Sequence, residues 1–370
     1  MSAGTGRQLI SRGAEVRSRR RLVKEERLWD TPAALKILFL TVKKDSPSAR
    51  WRVLQFLPHF QKAGVECEVL EWPGGMLAGL RAARKGAEHD LVFLQKRLLP
   101  KLLANRLRRN ARSLVFEFDD VLTLKRNPEG GVRGSPTRER RFRRIVKYSD
   151  AVIVTNDYLA ELARRAGAGE EKVNVFPSVI DLSQRPVRPP RDNPDPVVLG
   201  WMGTPQNLHS MEILRTPLVR LCRRHENLEV RIVCEEPLRM EDVRLANRPY
   251  RPGAEVEEIG DFDIALAPLV EDSWTRGKIS TKILAYLAGG RPVVASDVGA
   301  NRLYLRDGEN GFLAGTLSDW EDRLSRLIED PALRRTMGAK ARECVEREYS
   351  IEAMVPRYLG LFEKLVSGRR

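Results

Sequence analysis

Short apolar runs alternate with amphipathic stretches along most of the chain. Lys36–Val42 (KILFLTV), Val65–Leu70, Leu91–Leu94, Leu114–Phe118, Ala151–Thr155 and Val173–Phe176 are brief and mostly apolar. Runs of that length predict strands buried on both faces of a parallel sheet. Helical stretches fall between them: about Trp51–Lys62, from QKRLLP through Arg109, Thr137–Tyr148 and Asp157–Arg165. Strand–helix alternation of this kind predicts an α/β domain. The Gly- and Arg-rich segment Lys125–Pro136 predicts a mobile loop. Residues 185–196, RPVRPPRDNPDP, are dense in proline and charge and predict an interdomain linker. A second series follows, with strands Val197–Trp201, Glu229–Val233, Ile264–Leu269 and Pro292–Ser296. An acidic connection joins the second and third of these. Helices are predicted from about Asn207, near Ser280 and Thr281, and over Leu317–Glu329 and Pro331–Glu348. The turn DGENGFLA leads into another short strand. The last helix, Ile351–Ser367, carries Met354, Tyr358, Leu361 and Leu365 at helical spacing, the mark of a packed face.

The pattern divides the chain into a basic extension over 1–33, a domain over 34–188, a second over 189–348, and a terminal helix over 349–370 expected to pack back toward the first. A chain of 370 residues suffices for two cores of this kind. No apolar run approaches the roughly 20 residues that span a bilayer, and the first residues predict no secretory signal. The four cysteines and four histidines lack metal-ligand spacing, which argues against a zinc enzyme. Net charge adds a constraint that the pattern does not. At +15 the chain favours an anionic partner: nucleotide, lipid surface or nucleic acid. No basic motif with interleaved aromatics is present, so nucleic acid is not expected. The extension RSRRRLVKEER and the helix segment RERRFRRIVK leave contact with an anionic membrane open beside plain solvation.

Candidate chemistry concentrates in residues 261–312. The loop before the helix at Thr281 carries Trp274, Arg276, Gly277 and Lys278, and Lys282 falls in its first turn. Cations are disfavoured at a helix N-terminus unless an anion sits among them. Such a loop lies at the carboxyl edge of a parallel sheet, where ligands bind, so a phosphate-bearing ligand is expected. Gly200 and Gly203, after the first strand of the second domain, are spaced for backbone amides to approach the same phosphate. No GxGxxG follows Lys36–Val42, so a dinucleotide site there is unsupported. Asp119 and Asp120 end a buried strand; such a pair can orient hydroxyls, hold a metal or cap the next turn. Arg50 and Arg52, beyond the first strand, can touch a polar substrate or pair with acids.

These stretches together resemble a family 4 glycosyltransferase of the GT-B fold. The resemblance is carried by SARWR, LVFLQKRLLP, VFEFDD, VIVTNDYLAELA and FPSVID in the first half. In the second half it is carried by LGWMGTPQNL, FDIALAPLVEDSWTRGK, KILAYLAGGRPVVASDVGANR, DGENGFLA and DPALRRTMGAKAR. It implies two Rossmann-like domains facing a cleft, the second binding a nucleotide sugar and the first a glycan or lipid-linked acceptor. It implies transfer with retention, in the cytoplasm or at the inner face of the membrane. It implies no cofactor and no metal, so Asp119 and Asp120 would shape the acceptor side with Arg50 and Arg52. Arg276, Lys278 and Lys282 would neutralise the donor diphosphate as its bond to the sugar breaks. Gly203 and Thr204 would approach the phosphates through amides, Glu271 or Asp272 the sugar, and Leu313 the nucleotide. Many members carry two glutamates at the places held here by Gly277 and Ala285, so a donor-binding protein without catalysis is the alternative.

Overall fold

A computed structural model describes residues 35–368 apart from 127–130, 184, 189–190, 192–193, 273–274, 279 and 300. The extension over 1–33 and Trp274 therefore lie outside the described residues. The first domain holds β1 (Lys36–Thr41), β2 (Glu66–Glu71), β3 (Leu91–Gln95), β4 (Ser113–Phe118), β5 (Leu124–Arg126), β6 (Val132–Gly134), β7 (Ala151–Val154) and β8 (Val173–Val175). Six of these form one parallel sheet in the order β2-β1-β3-β4-β7-β8. Alternate side chains supply its two faces. Leu94 and Phe116 enter one core layer with the helices Met76–Lys85, Lys101–Asn110, Pro136–Tyr148 and Asp157–Arg165. Phe93 and Val115 enter the other, with Phe56, Phe60 and the terminal helix Ile351–Ser367. Tyr358 of that helix packs on Phe56 with ring centroids 4.9 Å apart. The terminal helix thus belongs to the first domain's core.

The second domain holds β9 (Val197–Met202), β10 (Leu228–Val233), β11 (Leu245–Arg248), β12 (Ile264–Ala267), β13 (Val293–Ser296) and β14 (Gly311–Ala314). All are parallel, in the order β11-β10-β9-β12-β13-β14. Counted within the domain this is the 3-2-1-4-5-6 order of a doubly wound sheet. No helix among the described residues is long and apolar enough to cross a membrane.

Several local expectations are corrected. The helix expected over Trp51–Lys62 is two, Pro47–Arg52 and Leu57–Lys62. Pro58 lacks the N–H that would continue one ladder, so the chain restarts around it. The flanks of the expected mobile loop form an antiparallel hairpin, β5 with β6. The helices Met76–Lys85 and Glu255–Gly260 and the strand β11 were not predicted. β11 reads LANR, an edge strand too polar and short to stand out.

Gly200 is also reassigned. A Cβ there would lie 2.0 Å from the Phe262 ring, so its missing side chain serves core packing. Gly200→Ala should therefore cost about 1–3 kcal/mol by overpacking. Denaturant unfolding reads this directly, and a cost near zero would show that Phe262 can step aside.

Candidate functional site

Strand order in the second sheet reverses between β9 and β12. Neighbouring crossovers leave that point on opposite faces and open a crevice beyond the carboxyl ends. A cavity of about 100 Å³ lies there. Its lining comes from Asn207 and Ser210 after β9, Ala267–Leu269 at the end of β12, and Lys278, Ser280, Thr281 and Lys282. The last two open the helix Thr281–Ala288. Ser280 holds the capping position with φ −95° and ψ 79°, and its side chain makes no capping bond. The first turn therefore keeps donor groups and a positive dipole end for an anion.

Lys282 supplies the strongest electrostatic signal. Its ammonium stands 4.4 Å from the centre of the Trp201 ring. Burial, and after it the charge of Lys278, pulls its pKa down to about 7. No carboxylate of the described residues pairs with it. A lysine whose charge is disfavoured by burial and by a neighbouring ammonium is poised to gain from an incoming anion. Lys278 reaches the same cavity and donates to Asn207 Oδ1 at 2.7 Å. Asn207 Nδ2 in turn donates to Thr204 Oγ1 at 2.9 Å, so Thr204 positions Asn207.

The structure places the other expected donor residues differently. The Gly203 N–H already donates to Val233 O at 3.1 Å and is spent on the sheet edge. Gly203 matters for space: a Cβ there would lie 2.7 Å from the Trp201 ring and 3.2 Å from Lys282 Nζ. Arg276 is exposed, pairs with Glu271 at 2.9 Å, and does not line the cavity. Asp272 closes the short turn Thr275–Gly277: Thr275 N–H donates to its Oδ1 at 2.6 Å. Ala285 is buried in the second domain's core and is also absent from the lining. Leu313 lies in β14, its N–H held by Asp307 Oδ1 at 2.8 Å. Gly277 is buried at the seam between domains. A Cβ there would lie 2.6 Å from Val121 and 3.0 Å from Leu159, and Asn156 Nδ2 donates to its carbonyl at 3.4 Å. A glutamate has no room at 277 in this arrangement.

Across the seam, the carboxyl ends of β3 and β4 carry a compact polar cluster. Lys96 follows β3 in the left-handed region, with φ 53°. Its ammonium pairs with Asp119 at 2.7 Å and with Asp120, and donates to Ser48 Oγ at 3.0 Å. Ser48 in turn donates to Asp119 Oδ2 at 2.8 Å. Burial, with Asp119 second, raises the Asp120 pKa, while Lys96 and then Lys278 oppose the rise. Lys278 of the second domain thus acts within the field of the first domain's aspartates. Among the described residues no trio of His, Cys, Asp or Glu is placed to hold a metal. Arg50 is exposed on the helix Pro47–Arg52. Arg52 is removed from the candidate acceptor residues, because it is fully buried and bonded within the protein. Its guanidinium donates to Glu117 Oε1 at 2.7 Å, to Pro177 O and Phe176 O at 3.0 Å, and to Tyr358 Oη at 3.3 Å. Sequence reading missed Lys96, Ser48 and Asn207. Lys96 had a signal: it is the first cation after a buried strand, LVFLQ. Asn207 had none beyond its closeness to Gly203.

Residues 196–330 match the family described as glycosyl transferases group 1. A trehalose synthase from Pyrococcus horikoshii is 27% identical over 143 residues, 38% of this chain and 34% of that protein. A D-inositol 3-phosphate glycosyltransferase from Streptomyces bingchenggensis is 28% identical over 234 residues, 55% of this chain and 50% of that protein. The chain thus spans a third to a half of these relatives' length. Among solved structures, Anabaena HepE in complex with UDP superposes with a TM-score of 0.64 at 14% identity, over 89% of this chain and 100% of that one. That likeness shows the fold, GT-B, with two Rossmann-like domains.

Proposed function

We propose, for a chain whose residues 196–330 match the group 1 glycosyltransferase family, that it transfers a sugar from a nucleotide-activated donor to a hydroxyl of a glycan or lipid-linked acceptor. The observation that carries this reading is the cavity at the sheet's reversal point, where Lys278, Lys282 and an uncapped helix start converge. A diphosphate is the ligand whose charge that site fits. As the sugar–oxygen bond breaks, negative charge grows on the outer phosphate, and the two ammonium groups stabilise it as a leaving group. Because the lysines already supply positive charge, the reaction proceeds without a metal. The acceptor hydroxyl approaches from the first domain, where Asp120 and Lys96 offer an acceptor and a donor of hydrogen bonds. Retention of configuration, and membership of glycosyltransferase family 4, complete the proposal on the resemblance in the motifs.

One observation favours a second reading. Neither position of the paired glutamates carries a carboxylate: Gly277 is walled by Val121 and Leu159, and Ala285 is buried. Donor binding without turnover would follow if those groups are indispensable. Calorimetry with UDP, GDP and ADP, followed by transfer assays with the matching sugar donors, separates the two. One nucleotide should bind, and Lys278→Ala should weaken it by about tenfold, the loss of some 1.4 kcal/mol. Binding without transfer would leave only the second reading. Failure of every nucleotide to bind would remove both.

A further inference from the structure

One face of the first domain repeats a surface pattern that the cavity does not use. The helices Met76–Lys85, Lys101–Asn110 and Pro136–Tyr148 lie side by side over the sheet. Gly79 sits where a Cβ would lie 3.0 Å from Leu103, and Tyr148 Oη donates to Asn105 Oδ1 at 2.7 Å. Together these helices carry thirteen lysines and arginines against one acid, Glu139. The first presents Leu77, Arg81 and Arg84 at i, i+4 and i+7, and the second presents Leu102, Arg106 and Arg109 at the same spacing. Residues so spaced share one helix face. Leu77 is 76% exposed and Leu102 57%, among the few large apolar side chains left in water. None of the four arginines pairs with a carboxylate of the described residues. Each helix returns between parallel strands, so all run the same way and both leucines fall at the sheet's carboxyl rim.

We infer that this face docks on an anionic lipid bilayer, with Leu77 and Leu102 entering the boundary between headgroups and acyl chains and the arginine rows meeting lipid phosphates. Apolar side chains in register with rows of unpaired cations are what an interfacial anchor needs. A nucleic acid would use the arginines and leave the leucines in water. The inference stands apart from the cavity: it needs no donor, acceptor or turnover.

Flotation of the full chain with vesicles tests it. Vesicles of phosphatidylcholine with about one third phosphatidylglycerol should carry the protein up at 0.1 M salt, and pure phosphatidylcholine vesicles should not. Replacing Arg81, Arg84, Arg106 and Arg109 by glutamine should weaken that partition by about 100-fold or more, each cation being worth roughly fivefold. The double variant Leu77→Ser, Leu102→Ser should lose about tenfold and keep its melting temperature, since both side chains are exposed. Equal binding to neutral vesicles would overturn the inference. So would a leucine variant that partitions like the parent, or tighter binding to a DNA or RNA oligomer than to the anionic vesicles at the same salt.

Discussion

Replacing Lys282 by methionine is expected to cut sugar transfer by about 100- to 1,000-fold, the range for deleting one preorganised partner of a developing charge. Methionine keeps the bulk over Trp201 and removes only the ammonium. The pH dependence gives a second, independent reading of the same group. In the free protein, burial and the nearby Lys278 hold the Lys282 pKa near 7. A bound diphosphate favours the charged form and raises that pKa. Donor binding above pH 7 therefore takes up a proton, and affinity should fall by up to about tenfold per pH unit from there. Calorimetry in buffers of different ionisation enthalpy would show the uptake at pH 8.5, and Lys282→Met would abolish it. The stability sign runs the other way. An unfolded lysine titrates near 10.4. Between about 7 and 10 the unfolded chain holds a proton that the folded chain does not, so this group's contribution to stability rises with pH. The methionine variant escapes the burial of charge at pH 6 and should melt at a higher temperature there while binding donor worse. A variant that bound the donor normally would take Lys282 out of the site.

The architecture was legible because parallel strands buried on both faces have little choice of composition. β3 and β4 stand out by their apolar runs Leu91–Leu94 and Leu114–Phe116, and the Pro-rich segment after residue 185 marks the passage between domains. The site was half legible. Lys278 and Lys282 could be read from charge placed against a helix dipole, a conflict that an anionic ligand would relieve. Arg276 shows the same local conflict, yet the structure resolves it with Glu271, five residues back. Sequence spacing cannot tell these outcomes apart, because both partners are local and only the backbone path decides which way each side chain turns. Gly200 and Gly203 failed for a related reason. A missing side chain can make room for a ligand, a ring or a neighbouring ammonium, and two of the occupants here, Phe262 and Lys282, are far away in sequence, while Trp201 is a near neighbour whose ring direction spacing does not reveal. Lys96 and Ser48 are 48 residues apart and meet only through the order of the first sheet.

Arg52→Met should cost about 3–5 kcal/mol of folding stability at pH 8, the penalty for leaving one member of a buried ion pair alone. Both side chains of the Arg52–Glu117 pair are wholly buried. Burial pushes the Glu117 carboxyl up to about 7, against the pull of Arg52 at 2.7 Å. An unfolded glutamate titrates near 4.3. Between those values the folded chain holds a proton that the unfolded chain has released, so this group's contribution falls as pH rises. Without Arg52 the carboxyl would rise further and the fall would steepen. The cost of the variant should therefore be smaller at pH 5, where Glu117 can be neutral, than at pH 8. What remains at pH 5 is the loss of the guanidinium's bonds to Phe176 O, Pro177 O and Tyr358 Oη. Those bonds tie the end of the first sheet and the terminal helix to one side chain, so the variant should also loosen that helix in hydrogen exchange. The double variant Arg52→Met, Glu117→Leu should recover most of the pH 8 loss, because apolar replacements of both partners leave no stranded charge. Equal cost at pH 5 and pH 8, with no recovery in the double variant, would assign the stability to the carbonyl bonds and not to the ion pair.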